Sequence, residues 1–422
     1  MKNRIIIITV IILAGCAGSG SKQERAAESR EIAVTDAWED EDMENYSKGT
    51  YGYDVNFLRN VPGTIELKND FSRLIISLKY QGRVMTSSSE GYEGKSYGWI
   101  NYDLIESGEV LPQFNPVGGE ERFWLGPEGG QFSLFFEAGS SFAFEDWGTP
   151  AVIDTEPFES YLATDSAAVF LKPMKVKNYS GFEFIFDLMR KVDLMGKPLI
   201  AEKLGIELPS GVRMVGYETT NIIKNTGIQP WKKETGLISV WLLGMFNPSP
   251  SVTMMLPYKT GVTSDYIVKD DYFGKIPSDR LKITDGMIFF RGDGKHRGKL
   301  GIPPERAMPV IGSYDSENKI LTIVKTTLHE GVVDYVNSAW EHQDFPYKGD
   351  AINAYNDGPL ENGGQLGPFY ELESSSPALA LAPGSSAEHI QSTYHFEGTE
   401  EELDTICRKI FNVSVEEIKK AF

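Results

Sequence analysis

The chain has 422 residues, 41% of them apolar and 12% aromatic, and carries a formal net charge of −19. Such a charge argues against a nucleic-acid partner, which needs clustered Lys and Arg. Length and apolar content suffice for a large buried core, and the aromatics suit either a neutral ligand or the packing of a β-core.

Lys2 and Arg4 precede an apolar run over residues 5–13, shorter than the ~20 residues of a membrane-spanning helix, and Leu13-Ala14-Gly15-Cys16 follows at once. This pattern resembles a bacterial lipoprotein signal, which implies removal of residues 1–15 and lipidation of Cys16. An ordinary secretory peptide with a chance cysteine is the alternative. Ala17, rather than Asp, follows the cysteine, which by analogy implies an outer-membrane lipoprotein facing the periplasm or the cell surface. Cys407 is the only other cysteine, so an internal disulfide is not expected. Residues 16–48, with the run Glu39-Asp40-Glu41-Asp42 and few apolar anchors, read as a flexible acidic tether.

The rest of the chain is predicted to be mainly β. Apolar, β-branched or aromatic stretches separated by Gly, Pro, Asn and Asp predict strands over 71–80, 131–137, 167–172, 174–178, 182–187, 212–220, 237–246, 252–256, 286–291 and 320–327. Strands do not alternate with long helices, so a parallel α/β sheet is not expected, and no fixed repeat suggests a propeller. A short helix is expected over 198–204. Thr399 with Glu402 and Ser414 with Glu417 fit the capping box, so residues 398–422 are expected to form helices packed on a β-domain spanning 49–397.

Three segments, in the right order along the chain, carry a family resemblance. Lys79-Tyr80-Gln81-Gly82-Arg83-Val84-Met85-Thr86 resembles the early glycine-containing strand pair of galactose mutarotase-like proteins. Gly118-Gly119-Glu120-Glu121-Arg122-Phe123-Trp124-Leu125-Gly126-Pro127-Glu128 resembles the Gly-Gly-x-x-Arg-x-Trp-x-x-Pro-Glu segment of their distant relatives. Leu372-Glu373, with Pro377 following, stands where mutarotases have their catalytic Leu-Glu pair. The chain therefore resembles a lipoprotein family within the galactose mutarotase-like, aldose 1-epimerase-related superfamily. The resemblance implies a β-supersandwich with short C-terminal helices and a sugar or glycan ligand, with Glu373 as the base.

One departure bears on mechanism. Mutarotases place a histidine after a Thr-Asn dipeptide, whereas here Thr220-Asn221 is followed by Ile222. A base that takes the anomeric proton needs an acid to supply one to the ring oxygen. That acid must come from His296, His329, His342, His389, His395 or another titratable side chain. His342, flanked by acids in Trp340-Glu341-His342-Gln343-Asp344, and His389, just past the Pro383-Gly384 turn, are the candidates, with a merely solvated loop position the alternative for His342.

Glu371 shares strand parity with Glu373, so the two form either a coupled carboxylate pair or structural ion pairs. Arg122 and Trp124 offer a guanidinium fork and an aromatic face to a sugar, with Glu128 alongside; a turn closed by an Arg–Glu pair is the alternative. Arg83, after Gly82, and Asn101, near Trp99, extend the candidate substrate-binding set, as does Asn221 by the family pattern. The basic stretch Gly292-Asp293-Gly294-Lys295-His296-Arg297-Gly298-Lys299 reads as an exposed hairpin tip, with a clamp on a uronate or phosphate the alternative. Neither HExxH nor CxxC is present, so no metal or other cofactor is expected. Two functions follow: an outer-membrane-anchored sugar epimerase or mutarotase-like enzyme acting as a monomer, or a non-catalytic glycan-binding lipoprotein on the same fold.

Overall fold

The computed structural model describes residues 45–70, 72–360 and 363–422. Cys16, the lipoprotein signal and most of the acidic tether lie outside the described residues. Among those described, no helix is long and apolar enough to cross a membrane.

The described residues are mainly β, as the sequence predicts, and their strands form three antiparallel sheets. The largest has ten strands. In spatial order these are Leu281–Thr284, Met287–Arg291, Val252–Pro257, Val310–Asp315, Ile320–Thr326, Ser386–Glu397, Arg213–Asn225, Glu183–Met195, Ala167–Lys177 and Glu159–Ala163. The second has five: Gly298–Ile302, Ile352–Asn356, Tyr370–Ser375, Ser239–Phe246 and Arg122–Gly126. Thr64–Asn69, Ser72–Ser77 and Arg83–Ser88 form the third.

The two larger sheets differ in how they are covered, and this decides where a site can be. Toward one edge of the ten-stranded sheet, buried and exposed residues alternate along Glu183–Met195, so that side is half-solvated. Every residue of Ser239–Phe246, Ile352–Asn356 and Tyr370–Ser375 is buried, so the five-stranded sheet is covered on both faces. Its even-numbered side chains, Leu300, Ala354 and Leu372 among them, join Met254, Ile311 and Val324 of the large sheet in one apolar core. The odd-numbered side chains of its first four strands are largely polar or aromatic and face away from that core; in Arg122–Gly126 the parity is reversed, and Arg122 and Trp124 lie on that same outer face.

Both C-terminal capping boxes form, at Thr399 and at Ser414. Leu403, Ile406, Cys407, Phe411 and Ile418 pack with Tyr314, Leu321, Ile323, Tyr394 and Phe396 of the large sheet. The structure revises three local expectations. Residues 131–137 form a turn instead of a strand, because Leu134, Phe135 and Phe136 are buried among the aromatic rings of neighbouring loops. The predicted break at Pro173 is absent, and Ala167–Lys177 runs as one strand. The neighbouring edge strand pairs no further than Leu171, so Pro173 lies where one side of the strand is open. The basic stretch after Gly292 is not wholly a hairpin tip, since Gly298–Ile302 joins the five-stranded sheet.

Candidate functional site

Side chains two apart on a strand share a face, and the register of the five-stranded sheet sets them in rows. Arg122, Leu243, Glu373 and Asn353 form one cross-strand row; Met245, Glu371, Tyr355 and Lys299 form another. Trp124 pairs with Trp241 in a third row. These rows make the floor of a cavity of about 1050 Å³, over which loops bring Phe114, Trp147, Tyr272, Phe273 and Trp340.

Two buried ion pairs lie along the floor. Arg122 Nη2 stands 3.1 Å from Glu371 Oε1, and its guanidinium lies 4.0 Å from the centre of the Trp124 ring. Lys299 Nζ stands 3.0 Å from Glu373 Oε2, which also accepts from Trp241 Nε1 at 2.8 Å. Burial pushes the Glu371 carboxyl up to about 7, against the pull of Arg122 and with the charge of Glu373 adding to it. Burial opposes the Lys299 charge too, but Glu373, Glu128 and Glu371 together hold its pKa above the ordinary lysine value. Glu128 is likewise raised by burial. The floor thus offers a carboxyl poised to gain or lose a proton near neutral pH, flanked by two fixed cations.

Of the residues expected at a site, Arg122, Trp124, Glu128, Glu371 and Asn101 line the cavity. Glu373 sits beneath it, fully buried, with its second oxygen unpartnered. Asn101 is at the margin, where its Oδ1 caps the helix Tyr102–Ser107 at Leu104 N.

The others lie elsewhere. Arg83 braces the Gly118-Gly119 turn, donating to Gly118 O at 2.8 Å. Those glycines have φ of +95° and +110°, and a Cβ on Gly118 would fall 2.1 Å from Trp99 O, so the turn that leads into Arg122 requires them. Asn221 and His389 face each other across adjacent strands of the large sheet and point into the core between the sheets. There Asn221 accepts from Arg190 Nη1 at 2.8 Å, and His389 Nε2 lies 2.9 Å from Ser374 Oγ. Burial pushes the His389 imidazole down to about 3, which keeps it neutral. His342 is exposed, edge-on to the Phe142 ring at 5.6 Å, although Trp340 and Glu341 beside it do line the cavity. Among the described residues no histidine lines the cavity.

The sequence shows Lys299 only within the basic stretch read first as a hairpin tip, and it gives no site role to Trp241, Asn353 and Tyr355. Lys299 carried a usable signal: residues 297 and 299 flank Gly298 with the parity of a strand, so both point the same way. Trp241 carried none, because in an apolar strand it is indistinguishable from core.

A profile described as "Family of unknown function (DUF6786)" matches residues 49–422. The chain belongs to that family. No curated protein matches it. Solved structures resemble the family member described here at low identity. The Slr1438 protein of Synechocystis is 14% identical with a TM-score of 0.47, over 84% of this chain and 100% of the other. A galactose mutarotase-like protein of Lactobacillus casei is 12% identical with a TM-score of 0.44, over 79% of this chain and 100% of the other. A galactose mutarotase related enzyme of Lactobacillus acidophilus is 11% identical with a TM-score of 0.44, over 80% of this chain and 98% of the other.

Proposed function

We propose that this protein handles carbohydrate in the cavity over the five-stranded sheet, acting on a sugar in the manner of an epimerase or mutarotase with Glu371 as the base. The observation that carries this reading is a buried carboxyl set near neutrality on an aromatic floor. Trp124 and Trp241 give the floor its aromatic lining and seat Arg122 and Lys299 over their rings, and these two cations can stabilise negative charge as it develops on a sugar oxygen. Glu373, the base by family resemblance, is held by Lys299 and Trp241, and on this reading it positions the lysine. Glu128, raised by burial, is the carboxylic acid best suited to give a proton back. One chain supplies all of these groups. We propose further that lipidation of Cys16 ties the domain to the outer membrane.

The second reading, a glycan binder without catalysis, draws on the ion pairs: both floor carboxylates already have a cation. One experiment separates the two. Monosaccharides that quench tryptophan fluorescence are followed by NMR for exchange of their anomers, with wild type, Glu371→Gln and Glu373→Gln. Exchange should quicken as pH rises through about 7, where Glu371 loses its proton, and should fall by ~10²–10⁴-fold in Glu371→Gln with binding retained. Binding without any acceleration leaves only the binder, and loss confined to Glu373→Gln transfers the base to that residue.

A further inference from the structure

We infer that the sugar this cavity takes is an acidic one, a hexuronate or a uronate residue of a glycan, with its carboxylate held by Arg297. The inference rests on the sugar-binding reading and adds the class of sugar. It starts from the polar atoms that the cavity leaves unpartnered. Six buried side-chain atoms without a hydrogen bond belong to cavity-lining residues: Arg122 Nε and Nη1, Trp124 Nε1, Trp147 Nε1, Arg297 Nε and Ser239 Oγ. Five of these are N–H donors, and the sixth is a hydroxyl. Burying a donor without a partner is costly, so the complementary ligand is rich in acceptors.

Arg297 differs from the two cations of the floor. Arg122 is engaged by Glu371 and Lys299 by Glu373, whereas Arg297 makes no ion pair among the described residues. Its guanidinium lies 3.8 Å from the centre of the Phe273 ring, which fixes the plane of its donor fork. Lys269 lies 4.5 Å over the ring of Tyr272, the residue next to Phe273, so one short segment seats two cations on aromatic faces at the same cavity. A planar carboxylate matches a planar guanidinium through two parallel hydrogen bonds, a fit that a ring hydroxyl lacks.

Among the described residues none of the lining acids is ion-paired with Arg297, and the buried Asp350 and Asp357 are engaged elsewhere. Asp350 accepts from the Tyr266 and Tyr272 hydroxyls, and Asp357 from the Tyr355 hydroxyl and Gly367 N. The net charge of −19 opposes an anionic ligand at long range, but exposed charges are screened within about 8–10 Å at physiological salt, so contacts inside the cavity decide.

The test titrates glucuronate, galacturonate, glucose, galactose and glucose 6-phosphate into the full chain, read by tryptophan fluorescence and calorimetry. The quantity of interest is the ratio of uronate affinity to that of the matching neutral sugar. Wild type should favour the uronate by about tenfold or more, and added salt should shrink the ratio. In Arg297→Gln the ratio should collapse to about one, while Arg297→Lys, which keeps the charge and loses the fork, should hold an intermediate value. A wild-type ratio near one overturns the inference and leaves the sugar-binding reading standing, as does a ratio that survives in a folded Arg297→Gln protein. Tighter binding of glucose 6-phosphate than of glucuronate overturns the assignment to a carboxylate. If none of the five compounds binds, the sugar-binding reading falls and takes the inference with it.

Discussion

At Glu371, burial and Arg122 act in opposite directions on one proton, and burial wins. A carboxyl whose pKa is raised from 4.5 to about 7 favours folding in its protonated form. Its contribution to stability is therefore complete below the unfolded value and is lost as pH climbs through about 7. Glutamine at this position cannot titrate. Relative to wild type, Glu371→Gln should gain on the order of 2–3 kcal/mol of stability between about pH 5 and about pH 8, measured by urea unfolding at both. A difference that does not change with pH would mean that Glu371 titrates as an ordinary surface carboxyl, and the proposed base would lose its footing. The shared face of Glu371 and Glu373 was legible beforehand, because strand parity is a local rule. Their cation partners were not: Arg122 lies 249 residues from Glu371 and Lys299 lies 74 from Glu373, separations that only sheet register brings together.

The same division between local and distant runs through the secondary structure. A capping box is complete within four residues, and both C-terminal boxes could be read directly from the chain. At Thr399 the hydroxyl accepts from Glu402 N, and the Glu402 carboxylate accepts from Thr399 N at 2.9 Å. Thr399→Ala should therefore cost about 1 kcal/mol, seen as a lowered Tm, and Glu402→Ala should cost a similar or smaller amount. Leu403, Ile406 and Phe411 still anchor the helix Glu400–Phe411 to the large sheet, so neither change should unfold it; loss of the whole helix signal on removing the cap would show that packing contributes less than the structure implies. A strand such as Arg122–Gly126 is hard to read from the chain because a charged side chain interrupts its apolar pattern, whereas Tyr370–Ser375 shows itself through the parity of Glu371 and Glu373. Those charged side chains are the cavity floor. A strand buried on both faces reads as polar-alternating when one of those faces is a site.

At the scale of the whole molecule, the two larger sheets meet through apolar side chains and also through a polar network that includes His389. Ser374, on the inner face of the strand that carries Glu371 and Glu373, donates to Gln391 Oε1 at 2.7 Å and lies 2.9 Å from His389 Nε2. Gln391 donates to Glu121, which is ion-paired with Arg190 at 2.9 Å, and all of these residues are buried. No local pattern announces such a network, since its members come from four strand or turn segments. It gives His389 a part in acid stability. With its pKa pushed down to about 3 from 6.5 by burial, His389 contributes stability that is present above the unfolded value and drains away as pH falls toward 3, because only the unfolded chain takes up the proton readily. Carboxylates also titrate at the lower end of that window, so the informative quantity is the difference between wild type and His389→Gln. Between about pH 6 and about pH 4, the wild-type stability should fall more steeply than that of the variant, by up to about 1.4 kcal/mol per pH unit, the slope that one extra proton bound by the unfolded state produces. Parallel slopes would place the imidazole in contact with water and break the link between the polar network and the joining of the two sheets.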